Sequence, residues 1–169
     1  MRRILVIGSG GSGKTTLAIE MGRILGLPVI HLDSEYWRPG WMETPKAEWR
    51  ARVAGLCNGD SWVIDGNYGD SFNIRSARAD TVVFLDYSRI LCLWRVWRRF
   101  RSFQGTSRPD LTPGCPEMLD REFLWWIWSY PFRSRPAMLA RISRLGRDKK
   151  VVILRSPREA GRFLDSIGR

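Results

Sequence analysis

Gly8-Ser9-Gly10-Gly11-Ser12-Gly13-Lys14-Thr15 has the residue types and spacing of a loop that wraps an anion. Small residues let consecutive backbone N–H groups converge on phosphate oxygens, and the N-terminus of a following helix adds its positive dipole end. A lysine at the seventh position reaches the β- and γ-phosphates of a nucleotide, and a hydroxyl at the eighth can hold Mg²⁺. The apolar run 4–7 precedes the loop and reads as a buried strand, while residues from about 13 to 25 read as a helix ending at Gly26. That strand–loop–helix context separates a phosphate cradle from an ordinary glycine-rich turn. Gly8, Gly10, Gly11, Ser12, Gly13, Lys14, Thr15 and Thr16 are therefore the expected nucleotide contacts, with ATP and Mg²⁺ as the expected cofactors.

Phosphoryl transfer also needs a carboxylate near the metal and positive charge on the moving group. Three apolar runs end in aspartates: Asp33, Asp65 and Asp86. Asp65 is the expected partner of Thr15 at the metal. Asp33 would orient or deprotonate an acceptor hydroxyl, and Asp86 would cap the next helix. Arginines flank residues 104–118, a segment rich in Gly, Pro, Ser and Thr that reads as a mobile lid. Arg95, Arg98, Arg99 and Arg101 precede it, Arg108 lies within it, and Arg133 and Arg135 follow. Of these, Arg99, Arg133 and Arg135 are the expected catalytic cations and Arg95 an expected nucleotide contact.

These residues need a scaffold. Strand-like runs at 4–7, 28–33, 62–65, 80–86 and 150–154 alternate with helix-like segments, which argues for a parallel sheet covered on both faces. Such sheets bind ligands at the carboxyl ends of their strands, the edge that would carry Gly8, Asp33, Asp65, Asp86 and Arg155. Thr44-Pro45 reads as a helix start, and Ser156-Pro157-Arg158-Glu159 as a capping box. The helix after residue 119 is expected to break at Pro131 and Pro136.

The 169 residues fit one α/β domain. No run is long and apolar enough for a membrane span, and no export signal is apparent, so a cytoplasmic protein is expected. Cys57, Cys92 and Cys115 are too scattered for a zinc or disulfide framework. The net charge is +11, and of 28 basic residues only Lys14, Lys46, Lys149 and Lys150 are lysines. Arginine binds phosphate bidentately, so this balance suits a phosphoryl-transfer site or a nucleic-acid surface. No nucleic-acid-binding signature accompanies it. Trp49, Trp62, Trp94 and Trp97 have core-like spacing. Residues 125–128 suggest burial under the lid or a dimer contact, and interfacial membrane binding is a further reading of such Trp/Arg helices. Tyr36, Trp37 and Trp41 could stack on a ring-bearing acceptor. Either a monomer or a homodimer is compatible with the chain.

The glycine loop, Asp33, residues 62–66 and the basic helix with its lid-like loop resemble adenylate-kinase-type P-loop kinases. Ile30-His31-Leu32-Asp33, residues 36–41, Asp65-Gly66-Asn67-Tyr68 and Leu93-Trp94-Arg95-Val96 more closely resemble the group known as DNA topology modulation proteins. The resemblance covers essentially the whole chain. It implies a three-layer P-loop fold with a five-stranded parallel sheet of order 2-3-1-4-5, ATP and Mg²⁺, and adenine bordered by Arg155 and Pro157. Two departures bear on the acceptor. The D-G-F-P-R motif of adenylate kinases is replaced by Asp65-Gly66-Asn67-Tyr68-Gly69, which removes the arginine that grips a nucleoside monophosphate. The stretch between the second and third strands also lacks the monophosphate-binding pattern. The expected activity is transfer of the γ-phosphoryl of ATP to a small-molecule acceptor, with a nucleic-acid-associated NTPase acting on DNA topology as the alternative.

Overall fold

Alternate residues of the first strand face opposite sides, and that period of two builds both layers of the core. The computed structural model describes residues 1–103, 105–106 and 111–168. In β1 (Arg3–Gly8), Leu5 and Ile7 join one hydrophobic cluster, while Ile4 and Val6 join the other. The chain continues through α1 (Lys14–Leu25), β2 (Val29–His31), α2 (Leu32–Tyr36) and the hairpin β3 (Trp37–Arg38) and β4 (Met42–Glu43). Next come α3 (Lys46–Leu56), β5 (Trp62–Asp65), a 3₁₀ turn (Gly69–Ser71), α4 (Phe72–Arg78) and β6 (Thr81–Leu85). Helices α5 (Arg89–Phe103) and α6 (Arg121–Ser143), strand β7 (Lys150–Leu154) and helix α7 (Pro157–Ile167) complete it.

The main sheet is five-stranded, in the order β2-β5-β1-β6-β7, and every pairing in it is parallel. With the hairpin strands set aside, this is the expected order 2-3-1-4-5. Helices α3 and α4 supply Trp49, Val53 and Phe72 to one side; α1 and α5 supply Leu17, Ala18, Met21, Cys92 and Val96 to the other. Helix α6 serves both, through Tyr130 and Met138 on the first side and Ile127 on the second.

Several local expectations need correction. Thr44 does not cap α3; its hydroxyl donates to the Tyr36 carbonyl at 2.5 Å, closing the hairpin. Helix α6 runs unbroken through Pro131 and Pro136. Its buried residues lie on both sides of the prolines, so packing outweighs the lost helical hydrogen bonds. Trp94 and Trp97 are exposed, whereas Trp49 and Trp62 are buried. Residues 111–117 are not a free flap. Leu111 and Cys115 are buried, and the Gly114 carbonyl accepts from the Gly40 amide at 2.9 Å. The Trp41 indole donates to the Pro116 carbonyl at 3.1 Å. The Thr112 hydroxyl lies 2.9 Å and 2.7 Å from the Ser34 and Trp37 carbonyls, so it can donate to one of them at a time. These bonds, with Cys115 Sγ donating to the Arg38 carbonyl at 3.3 Å, hold the segment to the α2–hairpin region. Arg108 lies outside the described residues.

Asp80 ties β1 to β6. Its Oδ2 accepts from the Arg2 and Arg3 amides at 2.8 and 2.9 Å. Partial burial pushes its pKa up, but bonds from the Thr81 hydroxyl and the two amides outweigh that, leaving it below the ordinary 3.8. Its stabilising contribution is therefore present above about pH 4 and lost as pH falls through the folded-state value. Asp80→Ala should lower stability by about 1–2 kcal/mol at neutral pH. Urea unfolding at neutral and acidic pH should show that difference shrinking at the acidic end.

Candidate active site

The glycine loop is enclosed from three directions. A Cβ at Gly8 would lie 2.7 Å from the Leu85 carbonyl of β6, and one at Gly11 only 2.3 Å from the Cys92 carbonyl of α5. A Cβ at Gly10 would meet the Phe123 ring of α6 at 2.6 Å. Gly11 and Gly13 also have φ of 72° and 91°, in the left-handed region that glycine enters without penalty. The glycines thus meet packing demands as well as phosphate chemistry, and Phe123 and Ile127 are neighbours that the motif alone does not reveal.

Inside the loop, the Lys14 ammonium donates to the Ser9 carbonyl at 3.0 Å. The hydroxyls of Ser9 and Ser12 are buried without a hydrogen-bond partner among the described residues. Arg95 reaches from α5 and donates to the Ser12 carbonyl at 2.9 Å, so it braces the loop directly. Thr15 is half-buried and Thr16 exposed at the start of α1.

Burial lowers the Lys14 pKa; the charges of Asp33 and Asp65 raise it, and that of Arg99 lowers it further. Lys14 therefore lies within electrostatic reach of both carboxylates and of Arg99, at the carboxyl end of β1. Asp65 ends β5 and is buried. Its Oδ1 lies 3.1 Å from His31 Nδ1, a pairing set by the parallel register of His31 opposite Asp65. Its Oδ2 is buried and unpartnered among the described residues.

Asp33 does not end a strand; it sits in the first turn of α2. Its Oδ1 accepts from the Tyr68 hydroxyl at 2.8 Å. Burial, and then the Asp33 charge, push the Tyr68 pKa well above its ordinary value, so the phenol stays protonated and donates. Tyr36, Trp37 and Trp41 form one aromatic group with their neighbours. Tyr36 packs against Trp37, Trp49 and Tyr68 with centroids 5.0, 5.0 and 4.6 Å away, and Trp41 packs on Trp37 at 5.3 Å.

Two residues outside the sequence expectation shape the site. Arg75 is fully buried and donates to the Gly66 and Tyr68 carbonyls at 3.0 and 2.6 Å. Burial pushes its pKa down to about 10, so it remains a cation behind the Asp65 loop at neutral pH. Glu117, also buried, accepts from Arg99 at 2.7 Å. No local pattern marks either residue. His31 was legible in principle, since the expected strand order puts it beside Asp65.

The other expected residues make contacts of their own. Arg135 makes two bonds to Asp86, at 2.7 and 2.8 Å, so Asp86 is a salt-bridge partner rather than a helix cap. Arg133 is exposed and lines a concavity with Leu93, Trp125 and Trp128. The Arg155 side chain is exposed beyond β7; its amide donates to Glu159 at 2.8 Å, and Ser156 caps α7 as expected.

The fold as a whole has counterparts among solved structures. The fold is that of the P-loop kinases. A sugar kinase from Janibacter sp. HTCC2649 superposes with a TM-score of 0.56 at 19% identity, over 98% of this chain and 93% of that one. Shikimate kinase from Acinetobacter baumannii in complex with shikimate gives 0.58 at 18% identity, over 99% and 90%. Deoxyadenosine kinase from M. mycoides with bound dATP gives 0.57 at 13% identity, over 98% and 99%. No family model and no curated protein matches the sequence. The finer resemblance to topology modulation proteins gains no support from these kinases.

The enclosure of the loop is directly testable. Gly11→Ala should cost at least about 1 kcal/mol from the positive φ alone, with the clash against Cys92 added. Gly55→Ala, in α3 with open space around the new methyl, should instead stabilise by about 0.5–1 kcal/mol. Thermal denaturation of the two variants should move in opposite directions.

Proposed function

We propose that this protein is a small-molecule kinase that uses ATP and Mg²⁺ and transfers the γ-phosphoryl group to a hydroxyl. The observation that carries this reading is the glycine loop after β1, where Lys14 donates to the Ser9 carbonyl at 3.0 Å and the adjoining strand β5 ends in the buried Asp65 carboxylate, its Oδ2 unpartnered among the described residues. The names of the sugar, shikimate and deoxyadenosine kinases that share the fold support it.

The donor side follows from the loop. Backbone amides of residues 10–15 and Lys14 bind the triphosphate. The buried, unpartnered hydroxyls of Ser9 and Ser12 supply polar groups suited to such a ligand. Arg155 and Pro157 border the adenine at the end of β7. The unpartnered Asp65 Oδ2 fits a cation site completed by the Thr15 hydroxyl and phosphate oxygens. Among the described residues no three His, Cys, Asp or Glu side chains form a metal cluster of their own, which agrees with a cation shared with the nucleotide. When bound, Mg²⁺ would neutralise charge on the β- and γ-phosphate oxygens.

On the acceptor side, Tyr68 holds the Asp33 carboxylate in place, and Asp33 accepts the proton of the acceptor hydroxyl. As the new P–O bond forms and the bond to the leaving ADP breaks, Lys14 and Arg99 stabilise the charge on the phosphoryl oxygens. Glu117 fixes the Arg99 guanidinium before the nucleotide arrives, so less conformational freedom is lost at the transition state. Arg95 acts through the loop, by holding the Ser12 carbonyl. Arg133 and Arg135 have no phosphate contact in this reading.

An ADP-release assay across hydroxyl acceptors tests the proposal. Lys14→Ala should reduce turnover by about 10²-fold or more with unchanged thermal stability; wild-type turnover in that variant would overturn it. Asp65→Asn should raise the Mg²⁺ concentration needed for half-maximal rate. Glu117→Gln should lower kcat with less effect on the KM for ATP, because Arg99 loses its fixed position rather than its charge.

A further inference from the structure

Helices α5 and α6 carry matching exposed stripes. On α5, Ile90, Trp94, Trp97 and Arg101 are spaced four, three and four apart; on α6, Arg121, Trp125, Trp128 and Phe132 repeat that spacing. Residues so spaced share one helix face. All eight are exposed, with Ile90 at 70%, Trp125 at 60% and Phe132 at 71%. Single exposed apolar residues are ordinary, but contiguous ones mark an interaction surface.

The rings are paired with arginines. Arg98 lies over Trp94 at 5.4 Å and Arg101 over Trp97 at 5.2 Å. Arg89 bridges the two helices: its guanidinium stacks 3.9 Å from Trp128 and 5.3 Å from Phe132, and it donates to the Trp128 carbonyl at 3.3 Å. Helix α5 contains no acidic residue at all. The facing part of α6 contributes Glu122 against Arg121 and Arg133 around the shallow concavity between the helices.

We propose that this α5–α6 face docks on the surface of an anionic phospholipid bilayer. Positive charge with no acidic counterpart on α5 selects an anionic partner and works against a second copy of the same face. Tryptophan and arginine together suit the headgroup layer, where the ring is half-buried and the guanidinium meets lipid phosphate. The tips of Ile90 and Phe132 favour a bilayer over a nucleic acid, because acyl chains give them cover and a phosphodiester chain does not. No helix among the described residues is long and apolar enough to span a membrane, so the association is peripheral.

The test is co-sedimentation of the full chain with vesicles of equimolar phosphatidylglycerol and phosphatidylcholine, against vesicles of phosphatidylcholine alone. Binding to the anionic vesicles only, weakening with salt, is expected. Arg98→Gln and Arg101→Gln should each weaken it about fivefold, and Trp97→Ser with Trp125→Ser should abolish it. Far-ultraviolet circular dichroism and cooperative thermal unfolding should stay wild-type-like in all of them, which confirms folding. Failure of the wild-type protein to bind at physiological salt would overturn the proposal, as would equal binding by all variants. Loss in the tryptophan variant of a dimer seen by sedimentation velocity would assign the face to a second copy instead. Loss there of binding to a single-stranded oligonucleotide, without vesicle binding, would assign it to nucleic acid.

Discussion

The rest of the molecule is arranged around a loop that has no room for a side chain at Gly8, Gly10 or Gly11. Gly8, Gly10 and Gly11 touch β6, α6 and α5 in turn, and each contact is closer than a Cβ would allow. A loop held this way keeps its amides aimed before any anion arrives, so binding does not have to order it. The same contacts tie the two helices after β6 to the loop. Arg95 extends the arrangement by donating to the Ser12 carbonyl from α5.

A second layer of the design concerns buried polar groups. A charge removed from water must find a partner, and here the partners are the groups that define the site. Arg75 satisfies the carbonyls behind the Asp65 loop, His31 lies against Asp65, Tyr68 binds Asp33, and Glu117 meets Arg99. The His31–Asp65 and Asp33–Tyr68 pairs join segments more than thirty residues apart in sequence. Asp65 Oδ2 and the Ser9 and Ser12 hydroxyls are among the buried polar groups left without a partner among the described residues.

The outer face follows different rules. Trp94 and Trp97 have the spacing of core residues, yet they lie on the outer side of α5, while Cys92 and Val96 turn inward. Helical period alone cannot say which of two apolar stripes meets the sheet. That choice belongs to the strands, which accept the smaller residues beneath the glycine loop.

The sequence by itself determined the glycine loop, the parallel sheet, and the positions of Asp65 and Lys14 beside it; the strand order came from the family resemblance. The loop, the sheet and those positions depend on local signals: glycine spacing, apolar runs of strand length, and helix boundaries such as the stop at Gly26 and the N-cap at Ser156. Only the tertiary structure decided that Asp33 belongs to a helix, that Arg135 serves Asp86, that residues 111–117 are docked, and that Arg75 and Glu117 support the site. Those outcomes depend on which distant groups become neighbours when water is excluded. A buried arginine and a solvated one look alike in a sequence, because the cost that separates them arises only on folding.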